Sequence, residues 1–211
     1  MARHINTTLL GDGSSDAALK PILEWLLGQH LPQTVTFAVT VADLRGLPEP
    51  PRKPVEKLRV AWDLYPADIL FLHRDAENEP LNVRRQEAQH LVEQAFPKPP
   101  PYIRVIPVRM TEAWLLGDET AIREAAGNPK GTEPLDLPPL KRVESVDAKK
   151  ILFTALERAS GRNARRMKSF NVHRQRHRLA ELSLERGFSH LRLLDSFQEL
   201  EKDVIQLVSL L

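Results

Sequence analysis

The chain has 211 residues, with 30 Lys+Arg against 28 Asp+Glu for a formal net charge of +2, and 42% of its residues are hydrophobic. That length and apolar content suit one folded domain with a sizeable core and exclude wholesale disorder. The lack of cysteine excludes a disulfide framework, a thiolate zinc site and a Cys nucleophile, and with no signal-peptide core and no apolar run of spanning length the expectation is a soluble, cytoplasmic protein without a membrane partner.

Ile5–Leu10 is a short β-rich run that stops at the turn cluster Gly11-Asp12-Gly13. Ser14 or Ser15 then caps a helix whose apolar positions, Ala18, Ile22, Leu23, Leu26 and Leu27, recur at helical spacing. Val35–Val41 is β-branched and reads as a second strand. Pro48, Pro50, Pro51 and Pro54 mark a stiff loop ahead of a helix around Val55–Leu64. Asp68–His73, with Ile69-Leu70-Phe71-Leu72 at its centre, is a continuous apolar run of the buried-strand type, and it ends abruptly in charge at Arg74-Asp75-Ala76-Glu77. A polar helix over about Leu81–Phe96 leads through Pro97, Pro99, Pro100 and Pro101 to a strand, Tyr102–Val108. Thr111, a good N-cap, opens a helix through Glu112–Ala126.

This βαβαβαβα order predicts an α/β fold, a mostly parallel sheet flanked by helices in the Rossmann-like manner. From Gly127 the character changes. Pro129, Pro134, Pro138 and Pro139 mark a loop, followed by helices at about Asp147–Ser160, His173–Glu185 and Ser196–Leu210. The expected organisation is an α/β domain over 1–128, then a Pro-rich linker and basic helical extension over 129–211 that packs on the same domain.

The small net charge hides a polarity. Residues 1–140 carry 15 basic and 19 acidic side chains, residues 141–178 carry 12 and 3, and residues 179–211 carry 3 and 6. Arg162, Arg165, Arg166, Lys168, Arg174, Arg176 and Arg178, with His173 and His177, crowd into 17 residues. On a helix Arg162, Arg165 and Arg166 share a side with Lys168 near it, and Arg174 stands four residues from Arg178. A solvated helical face accounts for such a block; the dominance of Arg favours bidentate phosphate contact, with nucleic acid as the partner.

In open parallel sheets, ligands gather beyond the carboxyl ends of the strands. Three predicted strand ends present acids: Asp12 and Asp16, then Asp75 and Glu77, then Glu112. Converging carboxylates need a cation, and an all-oxygen donor set suits Mg²⁺ or Mn²⁺. If the backbone stays extended through Asp75-x-Glu77, the period of two puts both side chains on one side, where they share an ion. Each acid also has a plainer role. Asp12 suits a turn, Asp16 and Glu112 suit a first helical turn, and Asp75 and Glu77 suit the solvated end of a strand. Gly11–Ser15 sits where a phosphate-cradling loop would, but without the Gly-Lys-Ser/Thr ending of a P-loop. His73 borders Asp75, and hydrogen bonding at the strand end is its simpler role. Trp25, Trp62 and Trp114 read as core anchors.

A strand, the turn Gly11-Asp12-Gly13-Ser14-Ser15-Asp16, a helix, and then an apolar strand ending in Asp75-x-Glu77 together resemble the Toprim domain of topoisomerases, primases and OLD-family nucleases. More narrowly, Pro107–Asp118 is similar to the Glu-Ala-Trp-Leu signature of the DUF4276 family, a Toprim-like fold; the resemblance spans roughly residues 5–125. It implies that Asp12 takes the first Toprim acid's role in acid/base chemistry or metal binding, and that Asp75 and Glu77 hold Mg²⁺ (or Mn²⁺). The Toprim first acid is usually Glu and the second motif Asp-x-Asp, so Asp12 is one methylene shorter and Glu77 one longer than the pattern. The position of Glu112 in the narrower family suggests a catalytic-site role. By resemblance, the chain is a Mg²⁺-dependent nuclease or related phosphotransfer enzyme on nucleic acid, in a mobile-element or phage-defence setting with an ATPase partner. The alternative is a non-catalytic Toprim-like subunit or adaptor that binds a partner protein.

Overall fold

The computed structural model of the chain describes residues 3–11 and 13–210. Strand β1 (Arg3–Leu10) pairs in parallel with β2 (Val35–Val41) on one side and with β3 (Ile69–His73) on the other. Strand β4 (Tyr102–Val105) pairs in parallel with the far side of β3, from Leu70↔Tyr102 to His73↔Val105, and the sheet order is β2-β1-β3-β4. Flanked on both edges, β3 is buried along its whole length, as its uninterrupted apolar run predicts. The chain leaves β1 to one side for β2 and comes back on the other side for β3. That reversal makes a topological switch point between β1 and β3.

Eight helices fill the layers among the described residues: α1 (Lys20–His30), α2 (Pro54–Leu64), α3 (Leu81–Ala95), α4 (Glu119–Ala125), α5 (Ala148–Ala159), the single turn α6 (Ala164–Met167), α7 (Val172–Arg186) and α8 (Asp195–Val208). The pleat of β3 divides the core. Leu70 and Leu72 pack with Leu58 of α2 and with Ala88 and Val92 of α3. Ile69 and Phe71 point the other way, into a larger cluster with Leu23, Trp114, Leu156 and Phe197. The helices of residues 129–211 therefore form part of the layer on that second face. No helix among the described residues is long and apolar enough to cross a membrane.

Several expected boundaries differ, each for a local reason. The helix predicted over Glu112–Ala126 is broken: Thr111–Leu115 is a 3-10 turn, and α4 starts anew where Asp118 accepts from Ala121 N–H at 2.8 Å. Strand β4 ends at Val105 rather than Val108, close to Pro107, which has no N–H to donate. Gly13, rather than Ser14 or Ser15, holds the cap position of a 3-10 turn, Ser14–Leu19, that feeds α1. The basic segment is not one helix, because Asn163 and Asn171 each cap a new one by accepting from Arg166 N–H and Arg174 N–H. Arg162 thus precedes α6, and the expected shared side with Arg165 and Arg166 is not a helix face.

Candidate functional site

His73 is the last residue of β3 and keeps the side of Ile69 and Phe71. Its ring is 3% exposed and lies between two carboxylates. Nε2 is 3.2 Å from Asp75 Oδ1 and Nδ1 is 3.3 Å from Asp16 Oδ2. The Asp16 approach is a charge contact, since Nδ1 has no aligned hydrogen bond among the described residues. Asp16 is placed by its own turn, its Oδ2 accepting from Gly13 N–H at 2.9 Å. Gly11 allows this crowding: a Cβ there would stand 2.0 Å from Asp16 Oδ2. Burial opposes charge on His73, but the hydrogen bond to Asp75 and the negative charges of Asp16 and Asp75 outweigh it and raise its pKa to about 9. His73 is therefore an imidazolium at neutral pH.

Asp75 Oδ1 also accepts from Thr111 N–H at 2.9 Å and from Thr111 Oγ1 at 3.3 Å. The ladder explains this position. Arg74 N–H and Ala76 N–H still donate to Val105 and Pro107 carbonyls beyond the end of β3, so Asp75 stays on the side of His73. The extended backbone does not last to Glu77, whose φ is 54°. The expected route to a shared side, strand alternation through Glu77, is thus replaced by a left-handed turn.

Asp75 and Glu77 nevertheless line one cavity of about 340 Å³, together with Glu112 and with the cations Arg109, Lys149 and Arg176. Arg109 is left-handed too, with φ of 63°, and its carbonyl accepts from Glu77 N–H at 2.9 Å. Left-handed backbone in residues with a Cβ is strained and gathers at functional sites. Asp75 is 34% exposed and Glu77 is 75% exposed, 3.8 Å from Arg84. A second cavity, of about 280 Å³, opens between the ends of β1 and β2 and is walled by Gly11, Gly13, Val41, Leu44, Pro50 and Lys57.

Glu112 and Arg176 are placed otherwise than expected. They form an ion pair at 2.6 Å, with side chains 5% and 4% exposed. Helix α7 buries Arg176, Leu179, Ala180 and Ser183, a helical stripe in which Arg176 takes one position. Glu112 is thus ion-paired inside the protein, and Arg176 stands apart from the exposed basic residues of the segment. Arg162, Arg165, Arg166, Lys168, Arg174 and Arg178 are exposed. The ion pairs of residues 141–178 among the described residues are Arg176–Glu112 and Arg158–Asp136, so these six have no acidic partner there. Arg162 stacks on Phe170, 5.1 Å from the ring centre.

Asp12, expected as the first acid, lies outside the described residues. Among the described residues no group of three or more His, Asp or Glu side chains is placed to hold a metal ion. Mg²⁺ is commonly held by one or two carboxylates with waters and substrate phosphates. Asp75 and Glu77, hard oxygen donors on one cavity, fit that pattern; Glu112, neutralised by Arg176, does not.

In the sequence Asp16 stands both as a strand-end acid and as a first-turn acid, and no motif draws Arg109, Thr111 or Lys149 into the site. The parity of β3 was the usable signal for one of these relations, since it puts His73 and Asp75 on one side. Nothing in the local sequence marks the partners that arrive from other elements. Trp114, in the Glu-Ala-Trp-Leu stretch, is the core anchor expected, donating from Nε1 to Ser196 Oγ at 3.0 Å and meeting the Phe197 ring edge-on. No protein-family model, curated protein or solved structure matches this chain.

Proposed function

We propose that the protein is a Mg²⁺- or Mn²⁺-dependent phosphodiester hydrolase, or a related phosphotransfer enzyme, acting on nucleic acid at the carboxyl edge of its sheet. One observation carries this reading: a single cavity beyond the carboxyl ends of β3 and β4 presents Asp75 and Glu77 together with Arg109 and Lys149. Acids alone would repel a phosphate, and cations alone would bind it without activating water. Asp75 and Glu77 are the residues that would hold the ion, which supplies a more acidic bound water and charge neutralisation at the leaving oxygen.

The chain's own residues set the geometry. His73 and Thr111 both engage Asp75 Oδ1, which fixes the carboxylate and leaves Oδ2 without a partner among the described residues. Arg109 and Lys149 offset charge on the phosphate oxygens. Arg174 and Arg178 stand on the exposed side of the helix that brings Arg176 to the cavity, so they can extend contact along a strand.

The test is cleavage of plasmid DNA, single-stranded DNA and RNA with Mg²⁺ or Mn²⁺, with ion binding followed separately by calorimetry. Asp75→Ala should lower cleavage by about two orders of magnitude or more and weaken ion binding, as loss of a positioned charged group does. Cleavage that survives Asp75→Ala would refute the site. Ion binding without cleavage of any substrate would favour the non-catalytic subunit or adaptor.

A further inference from the structure

Arg176 is a buried charge with unused donors. Its Nη1 donates to Glu112 Oε1 at 2.6 Å, while its Nε is buried with no hydrogen-bond partner among the described residues. A guanidinium offers five N–H donors in a planar fork and usually meets a carboxylate through two of them. Buried donors are almost always paired, so a single-point contact here calls for another acceptor. Arg176 lines the cavity of about 340 Å³, and so do Arg109 and Lys149, neither of which has an acidic partner among the described residues. Three cations thus line a cavity that Asp75, Glu77 and Glu112 also line, and the oxygen-rich, multiply charged ligand that fits the cations is a phosphate group.

We propose that this cavity is a phosphate receptor, in which Arg176, Arg109 and Lys149 take the oxygens. Glu112 is the built-in carboxylate that holds Arg176 in position and yields part of the guanidinium to the incoming phosphate. The inference deepens the proposed nuclease reading, because a strand phosphate is one source of the group, yet the receptor itself needs no metal. Glu112 also sets the affinity: its charge opposes the phosphate, and neutralising it removes that repulsion from beside the buried Arg176.

The test is calorimetric titration of the full chain with inorganic phosphate, in EDTA and without nucleic acid. Wild type should bind saturably. Arg109→Ala and Lys149→Ala should each weaken binding about tenfold, the size of one charge-assisted contact, and Glu112→Gln should strengthen it about tenfold. Phosphate should also raise the Tm of Glu112→Gln by more than that of wild type. Absence of binding in wild type overturns the proposal, and so does binding that Arg109→Ala and Lys149→Ala leave unchanged or that Glu112→Gln weakens. If Glu112→Gln does not fold, the Arg109 and Lys149 variants decide alone. A short oligothymidylate that competes with phosphate identifies a strand phosphodiester as the source; failure to compete identifies a free phosphate. Phosphate binding of this pattern in a protein that cleaves nothing would sink the nuclease reading alone, and cleavage without it would sink the receptor alone.

Discussion

Removing one member of the Glu112–Arg176 pair should destabilise the protein far more than removing both. The side chains are 5% and 4% exposed and meet at 2.6 Å, so water compensates little of either charge. Breaking a buried pair typically costs about 3–5 kcal/mol, because the survivor keeps its desolvation penalty without its partner. Glu112→Leu leaves Arg176 with no hydrogen-bond acceptor among the described residues, since Nε already lacks one. Arg176→Met leaves Glu112 without its ion-pair partner. Each single variant should therefore lose about 3–4 kcal/mol, and Glu112→Leu/Arg176→Met should fall within about 1 kcal/mol of wild type. Urea unfolding in phosphate-free buffer measures all four proteins with unchanged m-values as the control. For a chain of this length the single variants should melt roughly 10 °C lower. Single-variant losses below about 1 kcal/mol, or a double variant equal to the sum of the singles, would show that water reaches the pair and refute the account of it as desolvated.

Three further outcomes follow from the site. The His73 ring is held at about 9 against an ordinary 6.5, so its contribution to stability is complete below about pH 6.5 and is lost as pH rises through 9. In EDTA, the stability of wild type relative to His73→Gln should fall by on the order of 3 kcal/mol between those limits, and parallel pH curves would count against the two-carboxylate clamp. Gly11→Ala should displace Asp16, because the new Cβ would stand 2.0 Å from its Oδ2. The His73 titration followed by NMR should then move down, and an unmoved titration would show that Asp16 does not support the ring's charge. Arg165→Ala, Arg166→Ala and Lys168→Ala change exposed side chains and should leave the Tm in place. Each should lower the salt slope of nucleic-acid binding by about 0.7–0.9 if its side chain meets a phosphate, and an unchanged slope would place the strand elsewhere.

The positions of the strands were legible because each carries its own signal. Ile69–Leu72 is apolar without interruption, as a strand covered on both faces and both edges must be. The break at Gly117–Asp118 was less legible, since apolar residues continue on either side of it and only the cap shows that the helix restarts. The basic segment shows the limit most clearly. Arg174, Arg176 and Arg178 look alike in sequence, yet only Arg176 falls on the stripe of Leu179, Ala180 and Ser183 that packs inward. That stripe was available from the helical period; the carboxylate waiting beneath it was not.

By itself, the sequence determined that a parallel α/β sheet forms and that acids stand just beyond the ends of its strands. Hydrophobic alternation and turn chemistry act over a few residues, so they can be read locally. Which charges face one another was decided only by the tertiary structure. Glu112 and its partner Arg176 are 64 residues apart, and Asp16 meets His73 across the switch point. Electrostatic partnership depends on distance in space and on desolvation, and neither is encoded in spacing along the chain.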